Sequence, residues 1–189
     1  MPKKKLAKKI APAKKFPSKL TEYLGKAGVS HKILEHRTVY TALDAAATMR
    51  RKLGEIAKSL FVKADKDYYL VLLPADYNLD FKKLGKCIGI QTKKEVKMVK
   101  IPGEKIMTEA LKIKKGAMSA FGKLYKLPVI IDKGLVKAKK VIFPSGNFNF
   151  SIEMAVKDFV KLENAAIGLF GVKKKIKPIK INKVVRNKK

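Results

Sequence analysis

Near the middle of the chain, two strand-like runs stand three residues apart, and they limit the fold more than any other feature. In KSLFVKA, from Lys58 to Ala64, Leu60 and Val62 alternate with Ser59, Phe61 and Lys63. After a turn signal at Asp65 to Asp67 comes YYLVLL, Tyr68 to Leu73, an apolar run without alternation that reads as a more deeply buried strand. So short a connection joins antiparallel neighbours, which predicts a hairpin. Helical patterns lie on both sides. Ser18 is a candidate N-cap for a helix carrying Leu20, Tyr23, Leu24 and Ala27 and closed by Gly28. His31 to Glu35 alternates like a strand. Thr41 and Asp44 stand three apart, a relative of the capping box, ahead of an alanine-rich helix closed by Gly54.

Further on, Pro74 to Asn78 reads as a loop. Asp80 can cap a helix through Leu84 that leaves at Gly85 or Gly89. Glu95 to Ile101 alternates weakly, and Glu104 to Leu111 looks helical. Leu127 to Asp132 and Lys139 to Pro144 read as strands joined by a Lys-Gly turn. PSGN, Pro144 to Asn147, reads as a tight turn into the strand Asn149 to Met154. A last helix around Val156 to Leu162 precedes a hydrophobic tail through Val172. Helices and strands mix without strict βαβ alternation, so the expected class is α+β, with a mixed β-sheet or barrel and surrounding helices.

Charge divides the chain. Residues 1 to 19 hold eight lysines and no acid; residues 172 to 189 hold eight lysines, one arginine and no acid. All fifteen acids lie between them, yet the body is basic too, within a formal net charge of +30. The expected division is a basic tail at 1–17, one folded domain at 18–171 and a second basic tail at 172–189. Such a balance points to a polyanion, RNA or DNA, because each neutralised phosphate releases counterions. No run is long and apolar enough to span a membrane, and MPKKKLAKKIAPAKK lacks a signal peptide's apolar core. One cysteine, Cys87, permits neither an intrachain disulfide nor a cysteine-based metal site. The expectation is a cytoplasmic protein with no metal and no cofactor.

Another stretch carries chemistry. GAMSAFG, Gly116 to Gly122, is a glycine-bracketed turn of mostly small residues, the kind of backbone that bends sharply and presents its amides to a carbonyl or phosphate oxygen. Taken with the EH pair at Glu35 and His36, the alanine-rich helix after Thr41, AKSLFVKAD around Lys58, DFKKLGKCIG and SGNFNFSIEM, it falls in a recognisable order. The chain resembles the YbaK/ProX family of aminoacyl-tRNA deacylases, which includes the editing domain inserted in bacterial prolyl-tRNA synthetases. The resemblance spans about residues 18 to 171 and leaves both lysine tails outside.

The resemblance implies a mixed α+β barrel-like fold and hydrolysis of the ester joining a wrong amino acid to the acceptor end of tRNA. The family's hallmark lysine falls on Lys58, and its glycine loop, usually GxxxP, falls on Gly116 to Ala120. Here the chain departs, because alanine stands at the proline position. Proline would stiffen the turn and remove an amide hydrogen that alanine keeps. The expected catalytic residues are Lys58, Gly116 and Ser119. Ala117, Met118, Ala120, Phe121, Gly122, His36, Gly146 and Asn147 are expected to contact substrate. A hydrogen-bonding role is expected for Ser119, because no neighbouring His or acid forms an obvious activating pair with it.

The aminoacyl ester is already activated, so positioning and polarisation of the carbonyl suffice. A small amino acid such as alanine, or cysteine or serine, on proline tRNA is the expected substrate, with an aminoacyl-tRNA synthetase as a possible partner. Two alternatives stand beside this: a non-catalytic RNA-binding protein that keeps the fold, and a basic structural protein of ribosomes or chromatin.

Overall fold

A computed structural model describes residues 16–113 and 116–174; most of both lysine-rich tails lies outside them. Helix α1 (Ser18–Ala27) starts after Pro17, which occupies the N-cap without a side-chain hydrogen bond, so Ser18 is the first helical residue and not the cap. Gly28 ends the helix at φ 61, a left-handed conformation that costs glycine little. Strand β1 (His31–Glu35) follows. Helix α2 (Ala42–Met49) opens with a complete capping box: Asp44 N donates to Thr41 Oγ1 and Thr41 N donates to the Asp44 carboxylate. It ends at Arg50, before Gly54, which sits in a 3-10 turn (Leu53–Glu55).

The expected hairpin is β2 (Ala57–Ala64) against β3 (Asp67–Pro74), antiparallel from Ala57 opposite Pro74 to Ala64 opposite Asp67. Part of the expected loop after it is a short strand, β4 (Tyr77–Leu79). Asp80 caps α3 (Phe81–Thr92), its carboxylate accepting from Lys83 N. That helix runs through Gly85 and Gly89 and does not stop at either. A Cβ at Gly85 would lie 3.3 Å from the Val99 side chain, so the bare α-carbon lets β5 (Val99–Lys100) approach. Helix α4 (Glu104–Leu111) follows.

Strand β6 (Val129–Asp132), a one-turn helix α5 (Lys133–Val136), β7 (Lys140–Asn147), β8 (Phe150–Ala155) and α6 (Val156–Glu163) come next. The Lys-Gly turn expected after β6 is thus helical. PSGN is not the reversal either: it runs within β7, with an irregularity between Pro144 and Asn147, and the chain turns at Phe148 and Asn149. Local hydrogen bonds hold this geometry, Ser145 Oγ donating to Phe150 O at 2.6 Å and Asn149 N to Asn147 Oδ1 at 2.9 Å. The expected hydrophobic tail forms β9 (Ala166–Gly168) and β10 (Gly171–Lys173), so residues 172 and 173 belong to the fold.

The strands form a five-stranded sheet in the order β5-β2-β3-β6-β9, a three-stranded sheet β1-β8-β7 and a β10-β4 pair. β6 runs parallel to both β3 and β9. The class is therefore α+β with mixed sheets, as expected, and no closed barrel forms among the described residues. β3 explains its unbroken apolar run by being covered on both faces. Leu70 and Leu72 join Phe121, Phe143, Ile152 and Phe159 in one core, while Val71 and Leu73 meet Leu84, Ile88 and Phe170 in another. Phe143 and Phe159 stack at 4.1 Å.

One arrangement opens the site. β5 pairs with β2 at Lys63 and Ala64, which leaves the stretch from Ala57 to Phe61 along the sheet's margin, where a single bridge from Ile56 to Ile142 ties it to β7.

Candidate functional site

Beside that margin lies a cleft of about 330 Å³. One wall is β2 from Ala57 to Phe61. A second is the start of α2, with Tyr40, Thr41, Ala42 and Ala45. A third is the glycine loop, with Gly116, Ala117 and Met118, and β7 and β8 close it through Pro144, Gly146, Asn147, Phe150 and Ser151. Pro102 and Met107, before and on α4, complete the rim. Of the residues singled out from the sequence, Lys58, Gly116, Ala117, Met118, Gly146 and Asn147 come together here.

The glycine loop has two halves. Gly116 sits at φ 75, and its bare α-carbon faces the Phe148 ring, 3.5 Å from where a Cβ would stand. From Ser119 onward the loop is core and does not line the cleft. Ser119 is buried; its Oγ accepts from Phe121 N and donates to Pro144 O. Phe121 packs edge-on against Tyr23 and Phe159. Gly122 is glycine for lack of room, since a Cβ would meet the Val129 side chain and lie 2.6 Å from Leu127 O. Ser119, expected to be catalytic, and Ala120, Phe121 and Gly122, expected to contact substrate, instead hold the loop from behind.

Ala120 stands at the position where the resemblance leads one to expect proline. Its N–H donates to Pro144 O at 2.9 Å, and the residue is fully buried. A hydrogen bond from the loop to the β7 irregularity does the stiffening that a ring would otherwise do. Gly146, at φ 87, permits the contact: its Cβ position lies 3.2 Å from Ser119 Cβ and 3.5 Å from Ala117 O.

Lys58 is half-buried on β2. Its Nζ donates to Tyr77 O at 2.8 Å, so in this structure the ammonium is engaged by the start of β4. Burial lowers its pKa below the ordinary lysine value, the positive charge of Lys174 acts in the same direction, and Asp76 opposes both. Asp76 is itself buried, with Oδ1 lacking a hydrogen-bond partner among the described residues and Oδ2 4.0 Å from Lys173 Nζ. Sequence reading held no sign of Asp76 or Tyr77, since both fall in the segment taken for a loop.

His36 does not line the cleft. It stands behind the wall, with Nε2 3.0 Å from Ser151 Oγ and Nδ1 2.9 Å from Arg37 O. Ser151 does line it and was missed, because it lies 115 residues from His36 and no local pattern joins them. Among the described residues no group of three or more His, Cys, Asp or Glu could hold a metal ion, and no helix is long and apolar enough to cross a membrane.

No curated protein matches the chain. Among solved structures, a hypothetical protein aligns with a TM-score of 0.73 at 21% identity, over 82% of this chain and 100% of its own. A candidate trans-editing enzyme for prolyl tRNA synthetase aligns with a TM-score of 0.69 at 22% identity, over 82% of this chain and 94% of its own. A scaffold used for computational grafting of linear epitopes aligns at 0.67 and 20%, over 83% and 96%. At these identities the likeness speaks for the fold. The family model of the aminoacyl-tRNA editing domain matches residues 36–162, a span that holds Lys58, the glycine loop, the β7 irregularity and Ser151. With two thirds of its length inside that match, the chain belongs to the aminoacyl-tRNA editing domain family.

Proposed function

We propose that the protein is a trans-editing hydrolase that cleaves the ester of a misacylated tRNA carrying a small amino acid, alanine first and cysteine or serine next, with proline tRNA the leading carrier. The observation that carries this reading is the convergence of Lys58, Gly116 to Met118 and Gly146 on one largely apolar cleft within the family match. The cleft holds the aminoacyl group. Backbone amides at Gly116 to Met118 receive the carbonyl oxygen as charge grows on it, and Lys58 supplies the positive charge for that oxygen or for a phosphate of the terminal adenosine. A water, or a ribose hydroxyl of the substrate, attacks the ester. No residue is asked to form a covalent intermediate.

Sieve logic explains why the pocket is small. A hydrophobic site separates neighbours by about 1–3 kcal/mol per methylene, so a second, smaller site removes what a synthetase accepts wrongly. The test is hydrolysis of a panel of tRNAs charged with alanine, cysteine, serine and proline. Selective loss of one small amino acid is the expected result. Tight tRNA binding with no turnover of any ester would instead support the non-catalytic reading, which the engagement of Lys58 by Tyr77 O favours.

The lysine tails would add a sequence-independent grip on tRNA. Their inner ends are held: Phe16 packs edge-on against Phe150, a residue of the cleft wall, at 5.6 Å, and Lys174 N donates to Asp76 O at 2.8 Å. Removing residues 1–15 and 175–189, which leaves both anchors in place, is expected to flatten the salt dependence of tRNA binding. The slope of log K against log salt should shrink by about 0.7–0.9 for each phosphate the tails had neutralised. An unchanged slope would mean that the tails only keep the protein soluble.

A further inference from the structure

Ser151 is one of few polar side chains on the cleft wall, and the hydrogen bonds behind it fix what it can offer. Arg37 O is a carbonyl and can only accept, so Nδ1 of His36, 2.9 Å away, carries the ring proton. In the neutral imidazole Nε2 is then an acceptor, and Ser151 Oγ, 3.0 Å from it, must donate its hydrogen there. Both residues are buried, His36 at 9% and Ser151 at 6% exposure, so the pair is held by its surroundings. With its hydrogen committed backwards, the Oγ of Ser151, a residue of the cleft wall, has only lone pairs left to offer a ligand. On an apolar wall of a strongly basic protein, this is a fixed acceptor awaiting a donor.

We infer that Ser151, positioned by His36, receives the α-amino group of the substrate's aminoacyl moiety and so distinguishes an aminoacyl ester from an acyl ester of the same size. The inference rests on the editing reading for the identity of the ligand. An amine carries N–H donors whether charged or neutral and meets the lone pairs of Oγ, whereas a methyl group in its place leaves the acceptor unsatisfied. Ser151 touches the ligand; His36 acts through it as a positioning residue. The charged groups near the ring are Glu35 and Arg37 on its own segment, Arg50 and Arg51 at the end of α2, and Glu153 on β8, which Arg51 holds at 2.8 Å.

The experiment compares binding of two non-hydrolysable probes, 3'-alanylamino- and 3'-isobutyrylamino-3'-deoxyadenosine, of which the second carries a methyl group where the first carries the amine. Wild-type protein should bind the alanyl probe roughly ten-fold or more tighter, the range of a hydrogen bond to a charged group. Ser151→Ala should bring the ratio close to one, mainly by weakening the alanyl probe, and Ser151→Thr, which keeps the hydroxyl, should restore it. His36→Ala should also lower the wild-type ratio, and His36→Gln, whose side-chain carbonyl can accept from Ser151 Oγ, should keep part of it. A wild-type ratio near one, or an alanine variant that weakens both probes equally, overturns the inference; the wild-type ratio decides even if a variant does not fold. The editing reading fails separately. If the charged-tRNA panel shows no hydrolysis while a Ser151-dependent preference for the alanyl probe persists, catalysis falls and the amine site stands.

Discussion

Replacing Lys58 with alanine is expected to lower kcat/KM for deacylation by about 10²–10³-fold, the usual cost of removing one donor aimed at developing negative charge. The effect on folding should be far smaller. Burial and the charge of Lys174 lower the pKa of Lys58 in the folded chain, with Asp76 acting the other way, so the folded state pays for holding this ammonium. For a cation whose folded pKa lies below its unfolded one, that penalty is complete at low pH. It is relieved as pH rises from the lowered value to the ordinary lysine value. Against this, alanine gives up the hydrogen bond to Tyr77 O and leaves Asp76 with less positive charge beside it. The opposing terms separate activity from stability, which thermal melting of the same variant checks.

The lowered pKa also sets a pH profile. The ammonium is lost at a lower pH than that of an ordinary lysine, so the catalysed rate, corrected for spontaneous ester hydrolysis, should begin to fall correspondingly early on the alkaline side. Lys58→Arg carries a guanidinium that stays charged. It should keep part of the activity and lose the alkaline limb. Unaltered single-turnover rates in the alanine variant, or an alkaline limb that survives in the arginine variant, would remove Lys58 from the chemistry.

What the sequence disclosed follows from how far each interaction reaches. The capping box of Thr41 and Asp44, the Asp80 cap and the β2-β3 hairpin are each set by residues a few positions apart, and all were readable. Gly85 and Gly89 looked like helix exits because glycine weakens a helix locally. Only the approach of Val99 reveals why Gly85 stands mid-helix. PSGN looked like a turn for the same local reason, yet β8 draws it into a strand. β9 and β10 are three residues each, too short for periodicity to mark, and exist through pairing with β6 and β4. At the site, the glycine loop and Lys58 were found by resemblance. Ser151 and His36 meet across 115 residues, a separation that no local pattern marks.

Asp132→Ala is expected to give the largest loss of stability, about 3–5 kcal/mol. The carboxylate is fully buried at the end of β6. Oδ1 accepts from Gly134 N at 2.7 Å and caps the first turn of α5, while Oδ2 accepts from Phe170 N at 2.9 Å and Gly171 N at 2.7 Å. Alanine orphans all three amides, and each buried donor left without a partner costs about 1–3 kcal/mol. The cradle is tight: the Cβ position of Gly171 lies 3.1 Å from Asp132 Cγ, and that of Gly134 lies 2.8 Å from Oδ1. Asparagine keeps one oxygen and turns an NH2 toward donors on the other side, so its loss should be smaller than that of alanine. With a urea m-value of about 1–3 kcal/mol/M, the alanine variant should shift the unfolding midpoint by about 1 M or more. A shift within error would show that solvent replaces the carboxylate at no cost. The loss should also reach the cleft, because Gly171 opens β10, and β10 pairs through Lys173 with Tyr77, whose carbonyl holds Lys58. A variant still folded at low temperature should therefore show weakened deacylation as well, linking a buried carboxylate at the end of β6 to the lysine on β2.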